Sequence, residues 1–174
     1  PLCELPHVPK IGFQLVLEEQ FDHLSWYGRG EHNSYIDKRE SAYIGEYSGT
    51  VEEQFFPYIK PQAQGNKLDC RWFGVYTQRG VGVLFAGKPT MNASAYHYTD
   101  GQIEHTAHAH ELKRNNFTTV NIDFAQCGIG TDSIGPETPD KFKLFLTKST
   151  EFSFTMTPYN RQTTSPADRY RRMF

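Results

Sequence analysis

The sequence predicts an all-β chain, an antiparallel β-sandwich, and three observations carry that reading. Aromatic residues make up 14% of the 174, with 13 Phe and 10 Tyr against 2 Trp, an enrichment that favours pleated strands. Apolar and polar residues alternate with a period of two in several short runs. Gly, Pro, Asn and Asp turns separate these runs, and no strand–helix–strand alternation or repeat is present.

Ile11, Phe13, Leu15 and Leu17 alternate with Gly12, Gln14, Val16 and Glu18, which predicts a half-buried strand. "RWFGVYTQ" (71–78) and "VGVLFAGK" (81–88) flank Arg79-Gly80 and predict a tight hairpin. Four further runs read as strands: "IEHTAHAHEL" (103–112), "FTTVNIDFA" (117–125), "KFKLFLT" (141–147) and "EFSFTMTPY" (151–159). "SAYIGEYSGTVEEQF" (41–55) breaks the strand pattern and reads as a short helix or turn before Pro57, with Gly45 and Gly49 making it a poor helix. One β domain over 1–160 and a polar, basic tail over 161–174 are the expected organisation, with "DRYRRMF" (168–174) read as a solvated end.

A formal net charge of −2 and a pI near 6.4 leave no electrostatic footprint for nucleic acid. No run approaches the apolar length of a membrane span, and no signal-peptide pattern opens the chain. The chain opens on Pro1 instead of Met and is expected to be a piece of a longer protein, so no compartment is assigned. Cys3, Cys70 and Cys127 are odd in number and far apart, against a disulfide scaffold or a cysteine-rich zinc site. They read as buried or half-buried thiols.

Four histidines raise the question of a metal. On a strand, His108 and His110 share one face and His105 points to the other, with His97 nearby. A zinc ion needs three or four ligands converging at about 2.0–2.1 Å, so the spacing favours cross-strand packing and no metal. Glu46, Glu52, Glu53, Asp37, Asp69, Asp100, Asp123 and Asp132 are scattered, and no spacing pairs two of them as a glycosidase requires. They read as turn formers or solvated side chains. No G-x-S-x-G nucleophile motif occurs.

Two stretches mix Trp and Tyr with Arg, Asn, Gln and Asp around Gly and Pro: 25–42 and 55–72. Such a mixture can line a sugar site, with rings against C–H faces and amides on hydroxyls. It can equally be rigid connecting chain whose side chains satisfy loop backbone, and composition favours the latter. "CGIGTDSIGP" (127–136) follows a strand like a phosphate cradle. It lacks the last glycine of G-x-G-x-x-G, where Ser133 stands, and no helix follows.

Taken in order, "LPHVPKIGFQLVL", "HLSWYGRGEHNSYIDKRESAYIGEYSGTVEEQFFPYIKPQAQGNKLDCRW", "HAHEL", "VNIDFAQCGIGTDSIGP" and "KFKLFL" resemble the C-terminal domain of the lactose-cleaving β-galactosidases of glycoside hydrolase family 2. In split enzymes of that family the same region is the small subunit. The resemblance runs from about Leu5 to Tyr159. It implies a large supersandwich similar to galactose mutarotase, with this chain as about half of it. It also implies a parent that is a retaining β-galactosidase with two catalytic glutamates on a separate (β/α)₈ barrel. Such a barrel takes roughly 250 residues, so this chain alone is expected to be no enzyme.

The remaining expectations follow from the same resemblance. The partners would be the barrel and the rest of the parent, a β-galactoside such as lactose, and a homo-oligomer, with no nucleic acid or membrane. No cofactor is implied for this chain, since the family's Mg and Na ions bind largely elsewhere. A bacterial cytoplasmic or periplasmic location is implied without a choice between them. The loop 127–136 is similar to a family segment reading G-x-G-G-D-D-S-W, which reaches the barrel's pocket and offers its Trp to the aglycone sugar. Gly128, Gly130, Asp132 and Ser133 match; Thr131 replaces an Asp, and Ile134 stands at the Trp position. Gly128 and Gly130 would shape the loop backbone, and Asp132, Ser133 and Ile134 would face the aglycone. G-P-x-E-N-Y-x-D-R and P-Q-E-N-G-N of the family stand here as "GEHNSYIDK" (30–38) and "PQAQGN" (61–66), both without their Glu. These departures imply a divergent branch that departs from strict lactose specificity. A carbohydrate-binding module or a purely structural interface domain are the alternatives.

Overall fold

A computed structural model describes residues 7–130, 137–147 and 149–174. Seven strands, all paired antiparallel, make one sheet: β1 (Lys10–Glu18), β2 (His23–Gly30), β3 (Tyr43–Thr50), β4 (Lys67–Tyr76), β5 (Val81–Tyr96), β6 (Phe117–Gln126) and β7 (Phe154–Asn160). Their order is β1-β6-β5-β4-β2-β3, and β7 adds to β5. The all-β class stands as expected from the alternation and aromatic content.

The long strand β5 organises the rest. Its first part pairs with β7 from Val81↔Asn160 to Gly87↔Phe154, and its last part pairs with β6 from Asn92↔Asp123 to Tyr96↔Thr119. Between them the register with β4 jumps from Ala86↔Trp72 to Met91↔Cys70, so residues 87–90 lie opposite Arg71 alone. A bulge of this kind bends a strand and strengthens its twist, which lets one sheet close over its own face. Inside the fold lie Leu24, Trp26, Phe73, Val75 and Phe85 from one half, and Met91, Ala93, Val120 and Ile122 from the other. Leu15 and Leu17 of β1 pack onto this cluster, as the predicted alternation requires. The β4–β5 hairpin also falls where expected, with Gly80 at φ +81° in a turn that a side chain would strain.

Three expectations are corrected, and the one for 41–55 holds only for its last turn. Residues 103–112 form no strand: helix α1 (Asp100–His105) and a 3-10 turn (Ala109–Glu111) stand there. Thr99 and Gln102 make a reciprocal capping box that starts the helix, and buried Ile103 anchors it against Tyr96 and Tyr98. The run 141–147 is a 3-10 turn (Asp140–Phe142) with a single bridge from Leu144 to Val8, and Phe145 and Leu146 stay exposed. Within 41–55 the chain is an edge strand, β3, followed by a 3-10 turn (Glu52–Gln54). Its Gly45 makes room for the Tyr47 ring, which stacks on Trp26 at 5.6 Å, and its Gly49 makes room for Gln54 and Glu53. The segment expected as a solvated tail holds helix α2 (Pro166–Arg171), capped by Ser165. Its Tyr170, with Met173, packs on the second apolar cluster of Trp72, Leu84 and Tyr159, on the sheet's outer face.

Candidate functional site

Strand β6 ends at Gln126 and the chain enters the glycine-rich loop. The Cys127 amide donates to Pro9 O at 2.8 Å, and the Gly128 amide donates to Phe142 O at 2.9 Å. The Gly130 amide donates to Asp37 Oδ2 at 2.6 Å. Both glycines are demanded by space. A Cβ on Gly128 would lie 2.7 Å from Asp37 Cγ, and one on Gly130 would lie 2.2 Å from Thr138 Oγ1. Gly130 also has φ +54°, a conformation that favours glycine. The loop therefore leaves the sheet pinched between Asp37 and Thr138.

Past the loop, Lys143 Nζ meets Glu137 Oε2 at 2.8 Å and Asp140 Oδ1 at 3.1 Å. The Lys143 hydrogen bond holds the Glu137 carboxyl below its usual range, and Glu137 and Asp140 raise the Lys143 ammonium. Both ends of the loop are thus tied down. Gly128 and Gly130 sit at its root; Asp132, Ser133 and Ile134 lie outside the described residues.

Asp37 belongs to a 3-10 segment (Ile36–Ser41) carried by the first polar-aromatic stretch. That stretch is zipped to the second. The Ser34 amide donates to Asn66 O at 2.7 Å, and Asn66 Nδ2 returns a bond to Ser34 O at 2.8 Å. Ser34 Oγ accepts from the Leu68 amide, and Tyr35 OH donates to Ala63 O. Lys38 Nζ donates to Asn33 Oδ1 at 2.7 Å and lies 5.1 Å from the Tyr35 ring centre. Burial raises the Tyr35 hydroxyl far above the ordinary phenol value. Arg29 and Arg39 both donate to Asp69 Oδ2, at 2.6 and 2.8 Å. Most of these side chains bond one another and the backbone, the role that composition favoured, while Asn66 Oδ1 has no partner among the described residues.

Lys67 lies at the centre of this support. Its Nζ donates to Gln54 Oε1 at 2.8 Å and Glu31 O at 3.1 Å and sits 4.7 Å from the Trp26 ring centre. Burial lowers its pKa to about 7. Cys70 beneath it is a buried thiol, raised above its ordinary value by the same desolvation.

The histidines occupy positions unlike those argued for a strand. His105 Nδ1 is 2.8 Å from Gly101 O, one helical turn back, while the His108 and His110 rings stack at 5.5 Å. His97 is buried with Nδ1 3.0 Å from Phe117 O. Among the described residues no three His, Cys, Asp or Glu groups converge, and no helix is long and apolar enough to cross a membrane.

Asp37 is the residue that sequence reasoning passed over, having placed it among turn formers. The signal was present: "GEHNSYIDK" loses the Glu of the similar motif and keeps the Asp.

Residues 2–156 match the family model described as beta galactosidase small chain. A β-galactosidase of Priestia megaterium is 35% identical over 159 residues, 91% of this chain and 15% of that protein. β-Galactosidases of Streptococcus thermophilus and Lactobacillus delbrueckii subsp. bulgaricus are each 35% identical, over 90% and 87% of this chain. The chain spans about 15% of the length of each of these relatives. With β1 to β6 and the start of β7 inside residues 2–156, the chain belongs to the β-galactosidase small-chain family.

Proposed function

We propose that this chain is a non-catalytic part of a β-galactosidase that hydrolyses terminal β-D-galactosyl residues. It supports a catalytic barrel and walls the aglycone side of that barrel's pocket through loop 127–136. The observation that carries the reading is the pinned loop root: Gly128 and Gly130 held against Asp37, within a match covering 91% of the chain. A wall needs fixed ends and a projecting middle, and tethering by both Asp37 and Phe142 supplies the first. Asp132, Ser133 and Ile134 would contact the sugar, with no metal or cofactor required of this chain.

Exposed apolar side chains support a partner surface within the same enzyme. Phe13 and Val16 stand out from β1, and Tyr43 of β3 is 80% exposed. β1 and β3 are the two edges of the strand order, where unpaired backbone invites covering.

The deciding experiment is Ile134→Trp in the full-length protein. Trp is larger than Ile and has a flat π-face, so an aromatic platform at this position should lower KM for lactose or increase transfer to glucose. Unchanged KM, kcat and transglycosylation would show that Ile134 does not face the pocket and that the loop is only structural.

A further inference from the structure

A cleft of about 530 Å³ lies beside the polar outer face of β5 and β6, roofed by Lys60–Gln64 and bordered by α1. Pro61 and Ile103 give it apolar surface, while Lys10, Ser94, Tyr96 and Asp100 line it with polar groups. The 55–72 stretch, read above as support, thus has a second side that the loop root does not use.

The polar groups are locked by one another. Lys10 Nζ meets Asp100 Oδ2 at 2.9 Å and Asn121 Oδ1 at 3.0 Å. Gln14 Nε2 donates to the same two oxygens, each at 3.0 Å. Tyr96 OH donates to Asp100 Oδ1 and accepts from Asn121 Nδ2, which also donates to Ser94 Oγ. Fixed donors and acceptors bind without the entropy of being ordered.

Each group keeps unused capacity. An ammonium has three N–H donors, and Lys10 spends two within the network. The Asp100 side chain is 47% exposed, leaving its carboxylate open to a further donor. Gln64 is 2% exposed; its Oε1 accepts from the Phe56 amide, while its Nε2 has no partner among the described residues.

The charges decide the ligand class. Lys10 and Lys60 are balanced by Asp100 and Glu104, so neither an anion nor a cation is favoured. Donors and acceptors stand beside apolar surface, and the volume falls in the range of small-molecule sites. We propose that this cleft binds a neutral polyhydroxylated ligand the size of a hexose ring. Its hydroxyls meet Asp100 and Lys10, and its C–H face lies on Pro61 and Ile103. The site stands apart from the loop reading.

Hydrogen–deuterium exchange of the full-length protein, read by mass spectrometry, tests this with galactose, glucose and myo-inositol, and with sulfate as the anionic control. The polyols should slow exchange in peptides covering 60–64 and 94–104, with half-effect at about 1–50 mM, and sulfate should not. Asp100→Asn should raise the half-effect concentration about tenfold, the worth of one hydrogen bond to a charged group. Glu104→Ala, at an exposed rim position, should raise it about threefold with the melting temperature unchanged. The proposal is overturned if these peptides show no slowing at saturating polyol. It also fails if Asp100→Asn and Glu104→Ala bind as the parent does, or if the cleft is closed by another segment of the full-length protein. Protection confined to peptides around 127–136 would support the loop and sink the cleft.

Discussion

Asp37 and Gly130 are 93 positions apart and joined by a 2.6 Å hydrogen bond from the glycine amide to the carboxylate. Through it the 3-10 segment after β2 sets where the loop after β6 begins. The closeness of Gly128 to the same carboxyl adds shape to the bond.

Asp37→Ala should destabilise the chain by about 1–3 kcal/mol, since a half-buried amide loses a charged acceptor. Asp37→Asn keeps an acceptor oxygen and should cost less than half as much. Urea denaturation of both variants checks the order. Equal costs would mean that the contact is only packing.

Lys67 makes stability depend on pH. Its folded pKa, about 7, is below the ordinary 10.5, so between these values the unfolded chain binds more protons. Stability should therefore rise with pH from about 7 to about 10.5, by up to roughly 1.4 kcal/mol per pH unit. Lys67→Met should flatten that slope. A variant whose slope matches the parent's would show that Lys67 is charged in the fold.

Asp123 acts with the opposite sign. Burial raises its carboxyl from 3.8 to about 7, against a smaller lowering by Lys10, and Oδ2 has no partner among the described residues. Between those values the folded chain holds the extra proton, so stability should fall as pH rises through this window. Asp123→Asn removes the cost of burying the charge, and its advantage over the parent should grow from pH 4 to pH 7. Its upper bound is about 4 kcal/mol, from about three pKa units. Melting temperatures across that range measure it; a constant difference would contradict it.

Removing residues 161–174 strips Tyr170 and Met173 from Trp72, Leu84 and Tyr159. It also breaks the 2.6 Å bond from Arg169 Nη2 to Thr157 Oγ1. The truncated chain should lose roughly 2–4 kcal/mol and bind more of a hydrophobic dye, as expected for two apolar side chains uncovered. No change in stability would show that α2 covers nothing the fold needs.

β1, the β4–β5 hairpin, β6 and β7 could be read from the sequence because their signals are local: period-two alternation, Arg79-Gly80, and Phe-rich runs. The family was legible too, since it rests on residue order. "KFKLFLT" has the same alternation and still forms no strand, because a strand exists only where a partner edge is free. Leu144 finds one bridge, to Val8. "IEHTAHAHEL" alternates as well, yet Thr99 and Gln102 close a capping box that begins just outside the run. Tertiary structure alone decided that Asp37 grips Gly130. It also decided that Lys67 loses its water beneath Trp26, and that Asp100, Lys10 and Gln64 line one cleft. Those relations join residues tens of positions apart, and burial and hydrogen bonding across such distances arise only when the bent β5 brings the two halves of the sheet together.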